Sequence, residues 1–132
     1  MFLNQLSYQE KKMFLDLCIH IANANDELVY EEKMMISEYC TEMNLPPIEL
    51  YETEPFMTVA DYFALADDKV KKIVVLEILG LAYCDGSYDD KELALIINFI
   101  EKIGFSQETY EELNNAIIEY YLVCKNLADK IK

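Results

Sequence analysis

Residues 11–45 match residues 71–105 at a constant offset of sixty, and the match needs no gap. The identities are Lys11 with Lys71, Lys12 with Lys72, Ala22 with Ala82, Glu32 with Glu92, and Ile36 with Ile96. The apolar register carries the rest: Phe14, Cys18, Ile21, Tyr39 and Met43 stand opposite Val74, Ile78, Leu81, Phe99 and Ile103. A shared pattern of this length implies one helix-turn-helix unit used twice. The two hairpin bends are therefore the places where function is to be sought.

The pattern along each unit is helical. Ser7 and Glu10 have the spacing of a capping box, which opens a helix expected to reach about residue 24, with Phe14, Leu17, Cys18 and Ile21 on one buried face. A second helix, from near Tyr30 to Met43, must stop before Pro46 and Pro47, because a residue preceding proline is pushed out of the helical region. Short helices are expected between Pro46 and Asp68, one of them opening near Thr58. Asp67, the counterpart of Ser7, caps a third long helix to about Tyr83, and a fourth runs from Asp90 to Ile103. Gly104 and its counterpart Asn44 both suit the left-handed residue that ends a helix. Ser106 caps a long final helix whose apolar face has no counterpart in the repeat and is expected to buckle the two hairpins together. The only short apolar run open to a strand reading is 73–76, so the expected class is all-α, in one domain over 1–132.

With 132 residues the chain can bury a single core without staples. Cys18, Cys40, Cys84 and Cys124 are far apart and read as packed thiols. No basic leader and no long uncharged apolar stretch is present, so the expected location is cytoplasmic, with no direct membrane insertion. A formal charge of -14 disfavours nucleic acid and anionic lipid, and leaves cations and protein partners with basic or apolar surfaces. His20 is the only histidine and glycine occurs at Gly80, Gly86 and Gly104 alone, so neither a Ser-His-Asp site nor a phosphate-cradling loop is supported, and no enzyme is expected. Tyr51, Tyr110, Tyr120 and Tyr121 read as core filling first and as an interface second; adjacent Tyr120 and Tyr121 cannot both point inward.

The second bend carries the densest chemistry. Asp85 and Glu92 are hard oxygen donors on either side of Gly86, an arrangement open to calcium or magnesium. Asp85, Gly86, Asp89 and Glu92 fit the second half of an EF-hand loop, but the earlier ligand places hold Leu81 and Tyr83, so an EF-hand is rejected. The same residues also make a capping account: Asp89 and Glu92 as a capping box, Gly86 as a turn, and Asp85 bonded to the turn's N–H groups. The two accounts are compatible. In the first bend Asn25, Asp26 and Glu32 stand opposite Asp85, Gly86 and Glu92, and Val29 replaces the cap Asp89, so the second bend is the expected stronger site.

Two Ala-x-x-Asp-Gly-x5-Glu loops between helices, complete in Ala82, Asp85, Gly86 and Glu92 and reduced to Ala22 and Glu32 in the first copy, resemble the tellurite-resistance protein TerB family and its wider TerB-like superfamily. The resemblance covers nearly the whole chain from about Ser7. It implies a compact bundle of about seven helices, no enzymatic activity, and a divalent metal cation held by acidic residues. Asp85, Glu92 and Asp89 would serve there, with Glu32 and Asn25 the degraded counterparts. Such proteins are linked to tellurite and other chemical stress, phage defence and membrane-associated protein complexes, and related domains are fused to J-domain co-chaperones. The rival expectation is a metal-independent adaptor that binds a partner protein.

Overall fold

The computed structural model describes residues 1–24, 29–46, 53–84 and 89–132. Among them every regular element is helical: a 3-10 turn at Leu3–Gln5, then α1 (Tyr8–Ala22), α2 (Tyr30–Glu42), α3 (Phe56–Ala64), α4 (Asp68–Tyr83), α5 (Asp90–Lys102) and α6 (Gln107–Lys130). The run 73–76 lies within α4.

The helix starts follow from local hydrogen bonding. Ser7 Oγ accepts from Glu10 N at 3.2 Å while Ser7 N donates to Glu10 Oε1 at 2.7 Å, the full capping box. Asp67 Oδ1 accepts from Val70 N at 2.9 Å at the equivalent start of α4, and Ser106 Oγ accepts from Thr109 N at 3.1 Å for α6. Helix α3 opens at Phe56, two residues ahead of Thr58, because Pro55 takes the cap position and its fixed φ leads the chain into the first turn.

The stops of α2 and α5 are also equivalent. Asn44 and Gly104 have φ of 57° and 82°, and the next residues fold back: Leu45 N donates to Cys40 O at 2.9 Å and Phe105 N to Ile100 O at 3.2 Å. This is the Schellman closure, which satisfies carbonyls that the helix end leaves open.

Helices α1 and α4 touch each other at the centre, and each gathers its own hairpin partner, α2 or α5. The third helix of each half completes the arrangement: α3 lies on α1 and α6 on α4, so the duplicated unit has three helices. This corrects the expectation that α6 buckles the two hairpins together: it rests chiefly on α4, in the place that α3 takes on α1. The buckling role belongs to α3, which packs on α1, α4 and α5. Its Phe63 ring meets Phe99 of α5 with centroids 6.1 Å apart, edge to face. One apolar cluster runs through all six helices, with Phe14, Phe63 and Phe99 fully enclosed, and Leu3 and Leu6 bring the amino-terminal segment into it. No helix among the described residues is long and apolar enough to cross a membrane.

Candidate functional site

The two bends are bounded by buried glutamates. Glu32 and Glu92 sit in the first turns of α2 and α5, at equivalent positions, and each is 4% exposed. Glu32 Oε1 accepts from Val29 N at the long distance of 3.4 Å, and Glu32 Oε2 is buried with no hydrogen-bond partner among the described residues. A carboxylate oxygen left in this way is costly, so a buried oxygen without a partner points to something that completes it.

Asp89 is the cap of α5. Its Oδ1 accepts from Lys91 N at 2.8 Å and from Glu92 N at 3.2 Å, so one of its oxygens is used by the helix start, in accord with the capping account. At the first bend Val29 holds the same backbone conformation without a side-chain acceptor. Asp85, Gly86, Asn25 and Asp26 lie outside the described residues, as does Tyr51. Among the described residues no three His, Cys, Asp or Glu side chains gather into a group able to hold a metal ion. What the structure supplies toward a cation is therefore the Glu32 oxygen and the buried Glu92 carboxylate, each at the edge of a bend.

The other candidates fall elsewhere. His20 Nε2 lies 2.6 Å from Glu54 O, and its ring meets Phe56 edge to face, so the histidine fastens the segment leading into α3. Tyr121 is half-buried and donates to Gly80 O at 2.8 Å, while Tyr120 is 45% exposed, which separates the adjacent pair as expected from helix geometry. Cys18 and Cys40 are buried; Cys84 and Cys124 are half-buried. Burial pushes the Cys18 thiol well above its usual range, and Glu77 and Cys40 add to the shift.

A further buried carboxylate lies outside the motifs that spacing marks out. Glu77, in the middle of α4, is 3% exposed and lines a cavity of about 250 Å³ between α2, α4 and α6. Its Oε1 accepts from the Met1 ammonium at 2.8 Å and from Phe2 N at 3.1 Å. Glu42 of α2 takes the same ammonium at 3.0 Å and Leu3 N at 2.9 Å. Burial lowers the ammonium's proton affinity, but the hydrogen bonds and charges of Glu77 and Glu42 together outweigh it and raise its pKa. The signal was present in the duplication: the counterpart of Glu77 is Leu17, fully buried on α1.

No protein-family model matches the chain, and no curated protein or solved structure is significantly similar to it.

Proposed function

We propose that the chain is a non-catalytic, TerB-like binding module whose duplicated bends take a divalent cation, acting in a stress-response or signalling assembly. The observation that carries this reading is the buried Glu32 oxygen without a hydrogen-bond partner among the described residues, set at the same place as buried Glu92 in the other half. Glu92 and Asp85 would hold the ion in the second bend, with Asp89 as a further carboxylate beside them; Glu32 and Asn25 would serve the first. A bound cation supplies charge neutralisation to an acidic loop. The carboxylates of this chain supply hard oxygen donors fixed by a helix start.

The test is the thermal midpoint of chelator-treated protein with calcium, magnesium, manganese and zinc added singly, beside Asp85→Asn, Glu92→Gln and Glu32→Gln. A saturable rise with one ion, lost in Glu92→Gln, supports the reading. No rise with any ion overturns it.

A second reading, a metal-independent adaptor, is favoured by α6. Beyond its contact with α4 it leaves Leu122, Val123, Leu127 and Ile131 exposed on a molecule of net charge -14. Charge complementarity then selects an apolar partner helix flanked by basic residues.

A further inference from the structure

The duplication allows the same place to be compared twice within one molecule. On the α1 side, Leu17 is fully buried and Phe56 and Phe63 of α3 close on Phe99 of α5. On the α4 side the equivalent residues are Glu77 for Leu17 and Tyr39 for Phe99. There the third helix does not fill the space, and the cavity of about 250 Å³ remains between α2, α4 and α6. One half is thus packed with rings where the other is open and carries a buried carboxylate.

Glu77 lines this cavity, and its side-chain partners are the Met1 ammonium and Phe2 N rather than a lysine. What it holds is an ammonium group, shared with Glu42. A carboxylate this deeply buried needs a cation or a proton, because an isolated charge in an apolar surround is strongly disfavoured. The same cavity is lined by Met35, Leu76, Ile117 and the ring of Tyr120, apolar surface of the kind an alkyl chain would meet, with Glu38 as a further carboxylate.

We propose that the Glu77 cavity is a seat for a primary ammonium group, able to take a small alkylamine from solution in competition with the α-ammonium of Met1. Two carboxylates direct the N–H donors and the apolar walls receive the carbon chain. The seat is separate from the hairpin bends and does not depend on a cation there. Where the amine of Met1 is acylated, or where residues precede it, Glu77 loses its cationic partner and the external amine takes its place.

The experiment compares the full chain with a free α-amine and with an Nα-acetylated Met1, titrated with butylammonium chloride at constant ionic strength. Sodium chloride and tetramethylammonium chloride serve as controls, the latter having no N–H to donate. The acetylated chain is expected to show a saturable rise in thermal midpoint with butylammonium alone, and the free-amine chain at least a tenfold weaker response. Glu77→Leu, which installs the residue of the other half, should abolish it, and Glu77→Gln provides the same check if the leucine variant does not fold. No response in the acetylated chain overturns the proposal. So does an undiminished response without the Glu77 carboxylate, or an equal response to tetramethylammonium.

Discussion

Tyr39 on α2 donates its hydroxyl to the backbone carbonyl of Glu77 on α4 at 2.7 Å. One turn further along α4, Tyr121 of α6 does the same to Gly80 O at 2.8 Å. Two helices are thus latched to carbonyls one turn apart on a third, on the side where the other half of the molecule uses Phe99 instead of a tyrosine. Burial raises the Tyr39 hydroxyl well above the usual tyrosine range, with Cys18 and Glu77 adding to it, so the group stays a donor. Gly80 is the point of close approach: a Cβ there would lie 3.6 Å from Tyr39 Oη and 3.7 Å from Tyr121 Oη, ordinary contact rather than a clash.

Tyr39→Phe keeps the ring, which packs edge to face on Phe14 with centroids 5.3 Å apart, and removes only the hydroxyl. The Glu77 carbonyl sits inside α4 and retains its helical hydrogen bond. The expected loss is therefore about 1 kcal/mol, the net worth of one hydrogen bond. Tyr39→Ala also opens a cavity and should cost about 3–5 kcal/mol. Urea unfolding of the pair measures both; equal losses would mean that the hydroxyl, and not the ring, holds α2 in place.

Val29 is the cap of α2 but has no acceptor, whereas Ser7 at the start of α1 has φ -70° and ψ 166°, close to the -76° and 159° of Val29. The backbone is already set for a capping side chain. Val29→Ser should stabilise the protein by up to about 1 kcal/mol, less whatever apolar contact the half-buried valine loses. Chemical denaturation decides it, and a loss of stability would show that Val29 packing outweighs an N-terminal hydrogen bond.

The duplication, the helix starts at Ser7, Asp67, Asp89 and Ser106, and the two stops at Asn44 and Gly104 were legible because each is a local rule read over a few residues. The three-helix extent of the repeat was not. Helix α3 and helix α6 share no side-chain pattern, since α3 is short and enclosed on three sides while α6 is long and covered on one. Their equivalence lives in the packing of α1 and α4. Glu77 was hidden for a related reason: the duplication sets it opposite the apolar Leu17, but one carboxylate in an abundantly acidic chain does not stand out until its neighbours are known. At the bends, spacing marked out Glu32 and Glu92 as a matched pair, but burial at 4% is a tertiary property that spacing cannot express.

Asp16 offers a test through pH. It lies on α1 one turn before His20, and its Oδ2 accepts from Glu54 N at the long distance of 3.4 Å. Burial raises its pKa above the usual 3.8, and the nearby Glu54 charge adds to this; the Glu54 N–H, His20 and Lys12 oppose it without cancelling it. A carboxyl whose folded pKa is raised binds its proton more tightly in the native state. Its contribution to stability is therefore complete below the unfolded pKa and is lost as pH rises through the folded one. At neutral pH the ionised group is a net burden. Asp16→Asn, which keeps an oxygen able to accept from Glu54 N, should accordingly equal or exceed the parent in thermal midpoint at pH 7, and the difference should vanish as pH falls below about 3.8. A variant less stable than the parent at pH 7 would show that the ionised carboxylate earns its place through the Glu54 and His20 contacts that fasten the entry to α3.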